Sequence, residues 1–183
     1  TFQTNTNLQT VRNYAANLSL PIPVRKWWMM QNNISLYYNQ FKDDNLNGAE
    51  LNTGAAAFNF NTSNTFTLAK NWSAEANMWY NSRNVYGIIR SVKPQYAVNV
   101  GLQKTFLDKK AKLKLNVSDL FLTSFWYGNI DFENIKLDIN NRWSSRNASL
   151  TFTYNFGNQS VKTARRRSTA TEDFKNRAGS GNN

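Results

Sequence analysis

The fold of this chain is decided by one stretch near its end, Asn147-Ala148-Ser149-Leu150-Thr151-Phe152-Thr153-Tyr154-Asn155-Phe156. Apolar and polar residues alternate strictly along it, so an extended strand would have one apolar face and one polar face. The polar face carries amides and hydroxyls, whereas the outward face of a soluble sandwich normally includes Lys and Glu. The pattern is typical of a β-barrel wall between lipid and a wet lumen.

Six further segments repeat this alternation. They lie at residues 11–20, 28–41, 56–68, 74–83, 95–103 and 111–118. At mostly about 10 to 14 residues, the segments exceed the usual soluble strand and match a tilted bilayer crossing. The sequence therefore predicts an all-β fold: an antiparallel transmembrane β-barrel in which residues 1–157 supply about seven C-terminal strands of a larger barrel.

Composition excludes most catalytic chemistry. The 183 residues include 29 Asn and 26 aromatic residues but no Cys and no His. Thiol nucleophiles, disulfides and imidazole ligands are therefore absent, and Glu75 is the only acid on a predicted strand face. We predict no enzymatic activity, no cofactor and no metal site. The net charge of +11 favours an anionic partner, of which nucleic acid, lipid head groups and lipopolysaccharide are examples.

The predicted strands are joined by connections of alternating length. Short connections lie at residues 21–26, 69–71 and 107–110, and long ones at 42–54, 87–93 and 122–146. Outer-membrane barrels place short turns in the periplasm and long loops outside, so the last strand ends in the periplasm. Residues 130–143 also alternate, but an eighth crossing would break this parity. We expect an extracellular hairpin or an upward extension of the final strands there.

The alternation stops at residue 158. Residues 158–183 carry six basic and two acidic side chains and end in a polar, glycine-containing segment. This composition predicts a disordered periplasmic tail. Its run Arg165-Arg166-Arg167 has the charge to contact nucleic acid or anionic lipid. A solvated tail is the favoured interpretation, and no nucleic-acid partner is predicted.

Aromatic residues gather at both ends of the predicted strands. Those near the short turns are Trp27, Trp28, Trp72, Phe106 and Phe156, and those toward the long loops include Tyr80, Tyr96 and Trp143. Amphipathic rings favour the level of the lipid head groups, so the two groups predict two aromatic girdles. The competing interpretation is the ordinary preference of aromatic residues for strands.

Three motifs carry a resemblance to a known family. Residues 113–121 run from an apolar alternation into Asp119-Leu120-Phe121, and Ser145-Arg146 precedes the stretch quoted first. A basic run at 162–167 is followed by Glu172-Asp173. Over residues 112–177 the chain resembles the C-terminal end of TonB-dependent receptors of the form common in Bacteroidetes. Over residues 1–107 the resemblance is only architectural.

The resemblance implies a large outer-membrane barrel with an N-terminal plug that takes up a scarce solute. A TonB-type energy-coupling protein would act through that plug, which is absent here, so we expect this chain to be a fragment. Outer-membrane lipid and lipopolysaccharide would surround the barrel. The resemblance also implies that the barrel-assembly machinery reads the closing strand, at Leu150, Phe152, Tyr154 and Phe156.

Lumen-facing residues could contact a polar solute. They are Tyr37, Asn39, Asn77, Trp79, Asn81 and Arg83. Aromatic rings stack on sugars or flat chelates, and amides donate and accept hydrogen bonds. A solvated lumen wall held by amide networks is the favoured alternative. Nothing in the sequence selects among a siderophore, a glycan, a peptide and a vitamin.

Two other classes of protein stay open at this point. One is a self-contained eight-strand barrel with a structural or adhesive role, in which residues 130–143 form a strand of the wall. The other is a soluble β-sandwich that binds carbohydrate or nucleic acid through its Asn, aromatic and basic residues.

Overall fold

The computed structural model describes residues 7–156, which form eleven β-strands. The strands are β1 (Thr10–Arg25), β2 (Trp28–Leu46), β3 (Ala49–Thr67), β4 (Trp72–Asn81), β5 (Val85–Tyr86), β6 (Ile89–Ser91), β7 (Gln95–Phe106), β8 (Ala111–Ser118), β9 (Trp126–Phe132), β10 (Ile135–Asn141) and β11 (Asn147–Tyr154). Within residues 7–156, no helix is long and apolar enough to cross a bilayer. The predicted tail at 158–183 lies outside the described residues.

Seven of the strands form one antiparallel sheet in the order β1-β2-β3-β4-β7-β8-β11. Each of these seven strands contains or overlaps one of the seven predicted segments, in the same order along the chain. The prediction of an all-β antiparallel fold is therefore confirmed. The period-two pattern identified the strands because each one has two chemically different faces along its whole length.

The register of the sheet keeps the two faces separate. One apolar row across five strands is Leu18, Ile34, Phe60, Tyr80 and Tyr96, and the neighbouring polar row is Asn17, Ser35, Asn59, Asn81 and Gln95. A shift of one residue in any pairing would mix these rows, because side chains alternate between the faces. The sheet thus has an outer apolar face and an inner polar face.

The outer face is exposed, and the sheet has no conventional core. Leu150 and Phe152 are 68% and 61% exposed, and Leu36 is 55% exposed. Among the described residues no large side chain is fully buried, and most buried apolar residues are alanines or lie at the edge of the small second sheet. A soluble protein would bury such a face, so the soluble β-sandwich interpretation is wrong.

Two asparagines, Asn32 and Asn64, interrupt the outer apolar face, and hydrogen bonds explain why Asn64 is tolerated there. The Trp28 indole Nε1 donates to Asn64 Oδ1 at 3.0 Å, and the Asn64 amide donates to the Ala76 carbonyl oxygen at 3.2 Å. Asn32 is 8% exposed. A polar group that has its hydrogen-bond partners inside the protein costs far less beside lipid than an unpaired one.

The predicted long loop at 42–54 is wrong. Strands β2 and β3 continue through it and meet at a two-residue turn, Asn47-Gly48, whose φ angles are +52° and +98°. Positive φ at both central residues is what a type I′ hairpin turn requires, and Asn-Gly is the pair that adopts it most readily. This dipeptide indicates a continuous hairpin, whereas the polar residues from Lys42 to Asn45 had suggested a loop.

Strand β1 also extends further than predicted, through Pro21 and Pro23 to Arg25. The ladder with β2 continues across both prolines, which pair with Gln31 and Met29. Because proline has no N–H, a strand accepts it only where that group would point away from the neighbour. The nitrogens of Pro21 and Pro23 therefore lie on the outer edge of β1.

The remaining four strands form a small separate sheet in the order β10-β9-β6-β5. Residues 130–143 contribute to its hairpin β9-β10, which joins β6 at the pair Ile89 and Ile130. The preference for a hairpin over an eighth crossing is thus confirmed, and the eight-strand alternative loses its proposed strand. The small sheet adjoins the extended end of the β2-β3 hairpin, opposite the short turns.

The seven-stranded sheet does not close on itself. Its edges are β1 and β11, and within residues 7–156 these two strands are not hydrogen-bonded to each other. All eight residues of β11 are exposed, as are most residues of β1. Residues 7–156 therefore form an open sheet with two free edges.

Candidate functional site

The inner face carries a network of amides near the small sheet. Tyr37 donates its hydroxyl proton to Asn59 Oδ1 at 3.2 Å, and Asn39 Nδ2 donates to Asn84 Oδ1 at 3.3 Å. Asn84 Nδ2 in turn reaches the Tyr37 hydroxyl oxygen at 3.5 Å, and Asn13 donates to Asn39. Three strands, β1 to β3, and the connection after β4 thus share a continuous polar network.

Asn84 is the centre of this network because of its place in the chain. It immediately precedes β5, is only 4% exposed, and also accepts a hydrogen bond from the Val85 backbone N–H at 2.8 Å. Val85 is 2% exposed. Burial of these two residues against the β2-β3 hairpin fixes the small sheet over the inner face, and Arg90 adds a hydrogen bond to Thr53 Oγ1 at 3.3 Å.

The structure places five of the six predicted ligand-binding residues on the inner face but not in one pocket. The sixth, Arg83, lies in the connection after β4 and also lines a cleft beside Tyr80 of the outer face. Tyr37, Asn39 and Arg83 lie near the small sheet, whereas Asn77 lies six residues further down β4, a rise of roughly 20 Å along the strand. Asn77 accepts a hydrogen bond from Ser63 Oγ at 2.7 Å. The remaining two, Trp79 and Asn81, lie between these levels, so the set forms a stripe down the wall.

One cavity lies at the upper end of this stripe. Its lining includes Arg83, Asn84, Arg90 and Ser91. The two guanidinium groups give it a positive character, and the amide and the hydroxyl add hydrogen-bonding groups. Sequence reasoning selected Arg83 but missed Asn84 and Arg90, because β5 and β6 are too short for a periodic signal.

An ion pair crosses the inner face closer to the short turns. Lys114 Nζ on β8 lies 2.8 Å from Glu75 Oε2 on β4, with β7 between the two strands. The pair passes over Gly101, where an added Cβ would lie 3.4 Å from Lys114 Cε and 3.1 Å from Asn116 Oδ1. Glycine at this position leaves room for a contact between next-nearest strands.

Asp119 ties the connection after β8 to the start of β11. Its carboxylate accepts hydrogen bonds from Thr123 N at 2.9 Å, Ser124 N at 3.1 Å, Thr123 Oγ1 at 3.2 Å and the Ser145 hydroxyl. Burial by itself raises the pKa of Asp119, but these hydrogen bonds outweigh burial and hold the pKa below its ordinary value. The two motifs at 113–121 and 145–146 are therefore in direct contact.

Aromatic side chains line the outer face at two levels. At the short turns, the Trp28 and Phe66 ring centroids are 5.7 Å apart and those of Phe106 and Phe152 are 6.2 Å apart; Trp27 packs beside Trp28, and Trp72 begins β4. At the other level, Tyr80 lies between Phe58 and Tyr96. Trp143 lies apart, exposed in the connection between β10 and β11.

The spacing of the two levels fits a membrane. Trp28 and Tyr38 lie ten residues apart on β2 and mark the two levels of that strand, a distance of roughly 33 Å along it. At a tilt of about 40°, this corresponds to a height of about 25 Å, the height of the apolar band in outer-membrane barrels.

An antiparallel sheet with an exposed apolar face, an amide-lined inner face and two levels of aromatic residues is the wall of a transmembrane β-barrel. A model of the outer membrane protein beta-barrel family matches residues 1–154, and the chain belongs to that family. Outer-membrane lipid is therefore its environment. Comparison with curated proteins and with solved structures found no match.

Proposed function

We propose that this chain is the C-terminal barrel part of an outer-membrane transporter of the TonB-dependent receptor type, which takes up a scarce polar solute. The observation that carries this proposal is the open seven-stranded wall, whose inner face is predominantly polar along its length. Two free edges in lipid would leave backbone N–H and C=O groups unpaired at several kcal/mol each, so further strands must complete the wall. A larger barrel provides them.

The solute would meet the wall first at the cavity beside the small sheet. Arg83 and Arg90 offer positive charge there, and Asn84 and the Tyr37 hydroxyl offer hydrogen bonds. Below the cavity, Asn81, Trp79 and Asn77 continue the polar stripe. A solute with carboxylate, phosphate or hydroxyl groups suits this order of contacts. The guanidinium groups would attract the solute first, and the amides below them would then form hydrogen bonds with it.

The remaining partners follow from the closing strand and the orientation. Leu150, Phe152 and Tyr154 lie on the exposed outer face of β11, where the barrel-assembly machinery would read them, with Phe156 just beyond. In this proposal the short turns and the tail at 158–183 are periplasmic. Energy would come from a TonB-type protein that contacts a plug outside this chain.

The test is the mass of the native polypeptide. The protein that contains this chain is isolated from the outer-membrane fraction, run on a gel with and without boiling, and weighed intact. A heat-shifted band several times heavier than 21.1 kDa that includes an N-terminal plug supports the transporter. A heat-shifted band near 21.1 kDa indicates a small structural or adhesive barrel, and uptake would be abandoned.

A further inference from the structure

The net charge of the described chain is concentrated at the short-turn end of the sheet. Residues 7–156 carry sixteen basic and nine acidic side chains. Seven of the basic ones lie in or beside the three short turns, opposed only by Asp108. They are Arg25 and Lys26 in the first turn, Lys70 in the second, Lys109 and Lys110 in the third, and Lys104 and Lys112 on the adjoining strands. Segments 42–53, 82–94 and 119–146 at the other end carry seven of each sign.

A cleft lies between the second and third short turns, and three of these lysines line it. The lining consists of Lys70, Lys104 and Lys109, one acidic residue, Asp108, and Asn71, Thr105, Phe106 and Leu107. The Thr105 backbone N–H donates to the Asn71 carbonyl oxygen at 2.9 Å, which fixes the two turns side by side. All three lysine side chains are exposed.

Both turns hold their lysine in a left-handed backbone conformation. The φ angles of Lys70 and Asn71 are +59° and +64°, and those of Asp108 and Lys109 are +51° and +69°. Positive φ at both central residues defines the second turn as type I′, which follows the twist of the flanking strands, whereas the third turn also holds Leu107 at a φ of +53°. The two lysines thus lie at the tips of two neighbouring hairpins.

Within residues 7–156 none of these lysines forms an ion pair, and Asp108 is the one acidic residue in the cleft. Among residues 7–156 the only ion pairs are Lys42 with Asp44 and Lys114 with Glu75. Lys104 Nζ lies instead 4.9 Å from the centroid of the Trp72 ring, and Trp72 and Phe106 belong to the aromatic level on the outer face. The cleft therefore offers free ammonium groups directly beside the apolar surface that faces the lipid chains.

We propose that this cleft binds the phosphate of an anionic glycerophospholipid in the leaflet at the short-turn end. Three lysines surround the phosphate as point charges, and Asn71 and Thr105 provide further polar groups. The acyl chains lie on the outer face beside Trp72 and Phe106, which favours a lipid over a free phosphate ion. This site depends on the membrane environment and not on the transport proposal.

The test is lipid binding by the full-length protein purified in detergent micelles. After delipidation, dioctanoyl phosphatidylglycerol is titrated and bound lipid is counted by native mass spectrometry. A Lys70→Gln/Lys104→Gln/Lys109→Gln variant is expected to weaken binding roughly a hundredfold, about fivefold for each lysine. The matched control, Lys42→Gln/Lys93→Gln/Lys136→Gln, removes the same charge from the opposite end and should bind like the unaltered protein. A heat-shifted gel band confirms that each variant is folded.

Three results would overturn the proposal. The first is unchanged affinity in the site variant, and the second is an equal loss in both triple variants, which would indicate only a general effect of net charge. In the third, glycerol 3-phosphate without acyl chains displaces the lipid at equal concentration, which would make the cleft a free-phosphate site. Lipid binding that resists glycerol 3-phosphate and depends on Lys70, Lys104 and Lys109 supports it.

Discussion

The two sheets of this chain satisfy their backbone hydrogen bonds in different ways. The seven-stranded sheet satisfies its backbone through long ladders and leaves its apolar side chains exposed. The four-stranded sheet has strands of two to seven residues, and nearly fully buried polar side chains hold the connections beside it: Asn84 before β5 and Asp119 after β8. Lipid supplies no hydrogen bonds, so a wall within it needs complete ladders, whereas beyond the lipid side chains can replace them.

The largest expected effect separates the two faces of the wall. Ile34→Arg places a charge on the outer face between the two aromatic levels and should lower the free energy of unfolding by about 3 kcal/mol in lipid vesicles. Ser35→Arg, one residue away on the inner face, should cost close to nothing. Urea unfolding of the vesicle-inserted protein measures both. Equal costs would contradict the assignment of the faces.

The next prediction concerns the connection that precedes the small sheet. Asp119→Ala leaves two backbone N–H groups and two hydroxyls without their acceptor and should destabilise residues 119–125 locally by about 2 kcal/mol. Hydrogen exchange should show lost protection at Thr123 and Ser124 with little change in β2 and β3. Asp108→Ala, at an exposed turn, is the control. If exchange rises throughout the large sheet, the connection is not an independent unit.

The same carboxylate makes this connection sensitive to acid. The pKa of folded Asp119 is lowered, so its stabilising contribution is complete above the unfolded-state pKa of about 3.9 and is lost as the pH falls through the lower folded pKa. Exchange at Thr123 should accelerate below about pH 4, beyond the ordinary pH effect on amides. Asp119→Asn should remove this dependence. A variant with the same acid transition would assign the transition to another group.

The smallest effect is expected at the tip of the β2-β3 hairpin. Gly48 has φ +98°, and nothing lies within 4 Å of the position that a Cβ would occupy, so Gly48→Ala is penalised only by its backbone conformation. We expect a loss of about 1 kcal/mol and a smaller one for Gly48→Asn, since Asn tolerates positive φ better. Thermal unfolding compares the two variants. Identical melting temperatures would show that the tip does not limit stability.

The sequence predicted the strands that share a repeated alternation, and it did not predict structural features that occur only once in the chain. All seven wall strands were visible because their alternation runs through every crossing, but β5 and β6 are too short to show a period. The predicted Tyr37 and Asn39 belong to the inner network. Their partner Asn84 comes 45 residues after Asn39, and no local sequence pattern indicates this contact. The cleft lysines became a group only once the strand order placed the second and third turns side by side.

Because of its two prolines, the free edge of β1 differs in hydrogen-bonding capacity between its two ends. Without N–H groups at Pro21 and Pro23, this edge offers two fewer donors near the short turns than along Val11 to Asn17. A neighbouring strand would therefore form hydrogen bonds with the N-terminal part of β1, and this pairing would end before Pro21. The pairing at this edge would have the fewest hydrogen bonds beside the first short turn, and the two strands would separate most easily there.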